Sequence, residues 1–273
     1  MNILPRPAKN FFIITFFTTI VACGINTARK NYILAEKLWN DGKYAAAVVE
    51  YEKVTTGDLN GKLGQQALFR AAITQLFFLS QYDEAARKLR QYLNIISIDS
   101  AQAWEAEKLI GEILYSKSEQ YDQAIHHYSS LIKKNPKAPD VQEFIFRIAK
   151  SHFYLGQFNE AISAFSSLVN TNQESVWRER AAYEIGVSYY TKGNRGSESY
   201  QDAIDTFEIF LKKYPKSRFV PEAKFGIANC LEEMDQLNAA YHAYETLRSD
   251  YIVPRIIEIK LARIRERKIQ RSR

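Results

Sequence analysis

The chain has 273 residues, of which 46% are hydrophobic and 25% charged, and its formal net charge is +6. Its 11 glycines and seven prolines are too few for a collagenous or loop-dominated chain and agree with a mostly helical one. The segment 255–273 holds eight basic against two acidic side chains. That is the whole net charge, so the body carries no general basic surface and nucleic-acid binding is excluded as its theme.

The segment 1–22 reads as a signal. Arg6 and Lys9 precede a largely apolar run from Phe11 to Ala22, which is short for a membrane-spanning helix and ends in small residues, as a cleavable secretory signal does. The sequence Ile20-Val21-Ala22-Cys23 resembles the lipobox of bacterial lipoproteins. The resemblance implies cleavage before Cys23, diacylglycerol on its sulfur and an acylated amine, and several acyl chains give stable anchoring where one alone does not. Gly24 rather than Asp at the next position is compatible with the outer membrane, the periplasmic face of which is the expected location; the inner membrane is the alternative. Residues 1–22 are thus expected to be signal and 23–27 the lipidated cysteine with a short linker. Cys230 then has no partner for an intrachain disulfide, and its neighbours Ile227, Ala228 and Leu231 predict a buried position.

From residue 28 to 254 one pattern recurs six times: an aromatic residue or Leu, Ala three positions on, and an aromatic residue or Leu four further. It reads Tyr44-Ala47-Tyr51, Tyr82-Ala85-Leu89, Tyr121-Ala124-Tyr128, Phe158-Ala161-Phe165, Tyr200-Ala203-Phe207 and Leu237-Ala240-Tyr244. The first members are spaced 38, 39, 37, 42 and 37 residues apart. Such a period marks stacked helix pairs rather than a globule around one active site. In the fourth unit Phe144, Ile145, Ile148, Ala149 and His152 form one apolar helix face, Gly156 stops the helix, and Phe158 begins a second helix with Ala161, Ile162, Phe165 and Leu168 facing inward. The alanine is small because two helices cross there. In the fifth unit the insertion from Asn194 to Glu198 reads as an exposed loop.

These residues resemble the tetratricopeptide repeat. The fifth unit fits that pattern best, with Ile185-Gly186, Tyr189, Gly193, Tyr200, Ala203, Phe207 and Pro215; the first two units are more degenerate. The resemblance implies an all-α, right-handed superhelical solenoid of about six helix-turn-helix repeats over 28–254. The repeats are longer than the family's usual period of roughly 34 residues. Tyr214-Pro215-Lys216-Ser217 followed by Phe219, Pro221, Glu222 and Ala223 is similar to the BamD/CpoB subgroup. That subgroup includes the lipoprotein of the outer-membrane β-barrel assembly machine and the periplasmic coordinator of the Tol-Pal system.

In tetratricopeptide proteins the first helices line a groove that binds proteins. The resemblance carries that role to Phe77 and Phe78, to Phe146, Lys150, Phe153 and Tyr154, to Tyr183, Val187 and Tyr190, and to Phe225, Asn229 and Glu232. Aromatic rings beside a few polar groups suit an extended peptide or a partner helix. The basic tail, 255–273, places Ile257, Leu261 and Ile264 on one face, which predicts a capping helix. Its Arg263, Arg267 and Lys268 are candidates for contact with anionic lipid or an acidic partner.

No catalytic residue, metal site or cofactor other than the lipid is expected. His126 and His127 point about 100° apart on a helix and make a poor chelating pair, and no zinc-protease, Cys-x-x-Cys or phosphate-loop motif is present. The expected function is a non-catalytic, membrane-anchored periplasmic scaffold for protein–protein interaction in envelope biogenesis. By resemblance the leading version is outer-membrane barrel assembly, with N-terminal repeats meeting substrate and C-terminal repeats meeting other subunits such as BamA. The alternatives are a pilotin or motility-complex lipoprotein and a Tol-Pal or peptidoglycan-synthesis coordinator.

Overall fold

A computed structural model of the chain describes residues 27–96, 100–171, 175–196, 199–249 and 251–271; the lipobox and Cys23 lie outside them. Every regular element among the described residues is helical. The chain divides into two compact units, Met1–Glu119 and Gln120–Arg273, with the division inside the third sequence repeat.

The first unit holds α1 (residues 27–40), α2 (Tyr44–Gly57), α3 (Lys62–Phe77), α4 (Tyr82–Leu93) and α5 (Ala101–Glu112), the last running on into a π-helical turn, Ile113–Lys117. The second holds α6 (Tyr121–Lys134), α7 (Val141–Tyr154), α8 (Phe158–Val169), α9 (Val176–Gly193), α10 (Tyr200–Lys213), α11 (Val220–Glu233), α12 (Leu237–Glu245) and α13 (Pro254–Arg271). Within each unit successive helices pack on one another, and α9 also touches α7 and α11.

The sequence motif and the helix boundaries coincide. All six second helices begin at the first motif residue: Tyr44, Tyr82, Tyr121, Phe158, Tyr200 and Leu237. All six motif alanines are fully buried, and the third members are buried with them. Three of the turns before these helices are C-caps in which the backbone N–H groups of two successive residues reach back to the helix just ended. Gly42 N–H bonds Trp39 O and Lys43 N–H bonds Leu38 O; Gly156 with Gln157, and Asp235 with Gln236, repeat the arrangement. This motif needs one residue in the left-handed region. Gly42 and Gly156 supply it at φ 74°, and Asp235 supplies it at φ 62°.

Extra residues are absorbed in two ways. The small residue of the first helix precedes the motif by nine positions in the first, fourth and sixth repeats (Ala35, Ala149, Ala228) but by ten in the third (Gly111). The π turn after Glu112, closed by Ser118 N–H to Ile113 O at 2.9 Å, takes up that residue. In the fifth repeat the turn glycine is not Gly193, which ends α9 with the Tyr200 ring so close that a Cβ would lie 2.7 Å from it; Gly196, at φ 91°, makes the turn. The two proline junctions match each other. Asn135 and Tyr214 leave the helical region before Pro136 and Pro215, since a following proline disfavours helical backbone, and equivalent backbone bonds start α7 and α11.

A close helix-to-helix contact lies in the second unit. Phe207 of α10 is buried between Gly186 of α9 and Gly226 of α11, where added Cβ atoms would sit 2.5 and 2.6 Å from its ring. Both glycines are therefore packing requirements. Gly186→Ala and Gly226→Ala are each expected to destabilise the fold by about 1–3 kcal/mol through overpacking, although alanine is the better helix former. Chemical denaturation of each variant measures this, and a neutral or stabilising result would show that the ring yields.

Candidate functional site

In each unit the first helices present a face on which aromatic and charged side chains recur in register. In the first unit, Glu36 of α1 follows the small residue Ala35. Arg70 of α3 grips it with two hydrogen bonds, Nε to Oε1 at 3.0 Å and Nη2 to Oε2 at 2.8 Å, and Tyr51 of α2 donates its hydroxyl to the same carboxylate. The Arg70 guanidinium also covers the Trp39 ring at 4.8 Å. In the second unit, Lys150 of α7 follows the small residue Ala149 and pairs with Glu184 of α9 at 3.1 Å, both side chains nearly buried. The Lys150 ammonium lies over the rings of Phe153 and Tyr154 at 4.6 and 4.9 Å. The two pairs share a 34-residue separation but have opposite polarity.

A third polar knot closes the second unit. The Glu232 carboxylate, fully buried on α11, receives Lys260 at 3.1 Å and Arg263 Nε at 2.6 Å from α13, with the Tyr244 hydroxyl 2.9 Å away. Asn229 Oδ1 receives Lys260 at 2.6 Å and lies 2.7 Å from that hydroxyl. Burial alone would raise the Glu232 pKa. The bonds from Arg263 and Tyr244 and the charge of Lys260 outweigh it and hold the carboxyl below its usual range. Glu36 behaves alike, with Arg70 and Tyr51 overcoming its desolvation.

The groove candidates separate into three groups. Phe77, Phe78 and Tyr154 offer open surface, at 58%, 42% and 49% exposure. Phe78 completes a cluster with Trp39 and Tyr44 at ring distances of 5.4 and 4.3 Å. Tyr183, Tyr190, Phe153 and Phe225 are half-buried, each with one ring partner or more: Tyr183 stacks on Phe219 at 4.9 Å and Phe225 on Tyr251 at 4.7 Å. Phe146, 2% exposed, is core between Phe165 and Trp177 and supports the face from beneath. Lys150 and Asn229 are also buried. The first unit further contains an open cleft of about 560 Å³, lined among others by Tyr32, Lys62, Gln66, Phe69, Arg70 and Gln102.

The basic tail is tied inward. Ile257, Leu261 and Ile264 are buried with Leu237, Ala240 and Tyr244. Arg263 binds Glu232, Arg267 and Arg271 bind Asp235, and Lys268 lies 5.8 Å over the Tyr241 ring. Cys230 is buried and its thiol is pushed up to about 12 by desolvation, which makes it inert at neutral pH. Among the described residues no three His, Cys, Asp or Glu side chains are grouped to hold a metal ion, and no described helix is long and apolar enough to cross a membrane. The sequence reading missed Arg70 and Glu184. The signal was available: each stands two positions before the small residue of its own first helix and carries the charge opposite to the residue 34 positions back.

The tetratricopeptide repeat model matches residues 143–175 and 180–217, the spans of α7 with α8 and of α9 with α10. Among solved structures, the C-terminal part of a TPR repeat-containing protein from Cytophaga hutchinsonii aligns at TM-score 0.57 and 19% identity over 80% of this chain and 78% of that one. A tetratricopeptide repeat protein from Parabacteroides merdae aligns at TM-score 0.56 and 13% identity over 90% and 89%. PilW, described as a widely conserved type IV pilus biogenesis factor, aligns at TM-score 0.50 and 18% identity over 82% and 93%. At these identities the likeness is one of fold. No curated protein sequence matches the chain.

The polar knots predict an acid sensitivity. A carboxyl with a depressed folded-state pKa contributes stability above its unfolded value and loses it as pH falls through the folded value. Thermal stability should therefore fall below about pH 4. Glu232→Gln, which leaves Lys260 and Arg263 facing a neutral amide, should cost about 2 kcal/mol at pH 7 and flatten part of the acid limb. Melting curves from pH 3 to 7 for both proteins measure this; superimposable acid limbs would remove Glu232 from the account. With the motif, the helix boundaries and the solved structures in agreement, the chain is an all-helical repeat protein in which residues 143–175 and 180–217 match the tetratricopeptide repeat.

Proposed function

We propose that the chain is a lipid-anchored scaffold on the periplasmic side of a bacterial envelope, most specifically an accessory of outer-membrane β-barrel assembly. It would use the first-helix faces of its repeats to hold other proteins. The observation that carries the scaffold part is the recurrence of that face. In each unit, ion pairs fix the helix spacing while Phe77, Phe78 and Tyr154 present open aromatic surface beside them. Aromatic groups on a preorganised backbone are what protein interfaces concentrate, and they lose little entropy on binding. The Ile20-Val21-Ala22-Cys23 sequence supports the anchor, and the Tyr214-Pro215-Lys216-Ser217 junction supports the barrel-assembly version. A non-catalytic role agrees with the faces being built from aromatic residues and internally satisfied ion pairs.

The test is cross-linked affinity purification of the native protein from its own envelope, with mass spectrometry of what accompanies it. Recovery of BamA is the expected result. Recovery of pilus, motility or cell-wall synthesis proteins without BamA would discard the barrel-assembly version, and recovery of no partner at all would count against a scaffold. Two variants refine the result. Cys23→Ala should abolish incorporation of a labelled fatty acid and release the protein from membranes. Phe77→Ala with Phe78→Ala, or Phe153→Ala with Tyr190→Ala, should lower partner recovery by about tenfold or more if the ring faces are hot spots, with helicity retained.

A further inference from the structure

We propose that the outward face of α1 is a docking surface for an anionic lipid bilayer. The inference rests on the lipid-anchor reading above and adds which part of the body meets the membrane. Lys30, Ile33, Leu34 and Lys37 stand at i, i+3, i+4 and i+7, and Arg29 stands four positions before Ile33, so these side chains share one side of the helix. Ile33 is 61% and Leu34 43% exposed, and Arg29, Lys30 and Lys37 are exposed with them. Ala28 and Ala35 mark the opposite side and are buried in one core with Ala47, Val48 and Tyr51 of α2. The charges of α1 are sorted in the same way. Its only acid, Glu36, is held by Arg70 of α3, whereas no ion pair engages Arg29, Lys30 or Lys37 among the described residues. Asp41, exposed in the turn after the helix, is offset in charge by Lys43 two positions on.

Three cations beside two exposed aliphatic side chains suit an anionic interface, where the cations meet lipid phosphates and the aliphatic groups enter the headgroup boundary. The place of α1 in the chain selects the membrane over other occupants. Cys23 precedes Thr27, the first residue of α1, by four positions, and four residues span at most about 14 Å. α1 itself is about 21 Å long. With Cys23 acylated, the start of α1 is therefore tethered at the headgroup layer, and its cations face the lipid surface at an effective concentration that a diffusing partner does not match. A second copy is disfavoured, because apposing two such faces would set Arg29, Lys30 and Lys37 against like charges. The acyl chains fix the distance of the body from the membrane but leave it free to swivel. Docking of this face turns the Ala35 side of α1 away from the lipid and so fixes the orientation of the first unit.

The test uses the native lipidated chain carrying Ile33→Cys, coupled to an environment-sensitive fluorophore; Cys230 is buried and does not compete for the label. The protein is reconstituted into phosphatidylcholine vesicles with or without phosphatidylglycerol, each containing a trace of nitroxide-labelled lipid that quenches a fluorophore at the interface. Quenching is expected in the anionic vesicles, weaker in the neutral ones, and reduced by added salt. Arg29→Gln, Lys30→Gln and Lys37→Gln together keep good helix formers and should abolish the quenching, since each cation at such a surface is worth about fivefold in the ratio of docked to free. No quenching in anionic vesicles, equal quenching in both kinds, unchanged quenching in the triple variant, or cross-linking of position 33 to a second copy or another protein each overturns the docking surface. Flotation separates the two readings. If the protein floats with the vesicles and the fluorophore is not quenched, the docking surface fails and the anchor stands; if it carries no acyl group and does not float, the anchor reading fails and the docking surface falls with it.

Discussion

The close approach of helices at small residues is the constraint on which the rest depends. Six fully buried alanines on the second helices allow neighbours to come near enough for the large third motif residue to fill the remaining gap. The clearest instance is Phe207, whose ring occupies the space that side chains at Gly186 and Gly226 would need. Interiors are packed as densely as organic crystals, so an aromatic residue of fixed shape dictates small residues on both sides. That complementarity, rather than a strong helix propensity, sets the spacing between first helices. α9 has bulky, polar and small residues all round and little amphipathic character of its own, and it is defined by what it packs against on both sides.

Once the spacing is set, side chains on neighbouring first helices meet at fixed positions, and burial makes their charges consequential. A half-buried glutamate must find a donor or lose its charge. Glu36 finds Arg70 and Tyr51; Lys150 finds Glu184; Glu232 finds Lys260 and Arg263. The third case explains the tail. Lys260 precedes Ala262 by two positions, as Arg70 precedes Ala72 and Glu184 precedes Gly186, so α13 takes the place of a further first helix against α11 and supplies its charge. The basic composition of 255–273 thus meets acids already present, Glu232 and Asp235, and its lipid-facing reading has to rest on the side chains that remain, Arg255 among them, which is exposed.

The sequence showed the architecture well because the motif is the architecture: its first residue is the first residue of every second helix. Short-range rules governed that part. Gly42 and Gly156 were legible as turns because the left-handed backbone favours glycine, whereas Asp235, Ser80 and Glu119 in the same conformation carry no such mark. The insertion in the fifth repeat displaced the turn from Gly193 to Gly196, and a glycine needed for packing looked the same as one needed for a turn. The candidate face was less legible. A ring position in a first helix can point to open surface, as Tyr154 does, or into the core, as Phe146 does, and only the neighbouring helix decides.

The division between satisfied and unsatisfied side chains is what gives such a face specificity. The internal ion pairs are poor candidates for partner contact, since a partner that displaced Arg70 from Glu36 or Lys150 from Glu184 would leave a buried charge alone, at a cost comparable to a typical interface hot spot. Their role is to hold the aromatic neighbours in place: Arg70 keeps Trp39 against Phe78, and Lys150 fixes Phe153 and Tyr154. Contact is then left to groups with open surface, the exposed faces of Phe77, Phe78 and Tyr154. Because the ion pairs reverse polarity between the first unit and the second at the same 34-residue separation, exchanging the charges within a pair changes the field of the face while keeping the pair itself. A repeat built this way can change its partner by substituting a few side chains on a framework whose alanines and glycines stay fixed.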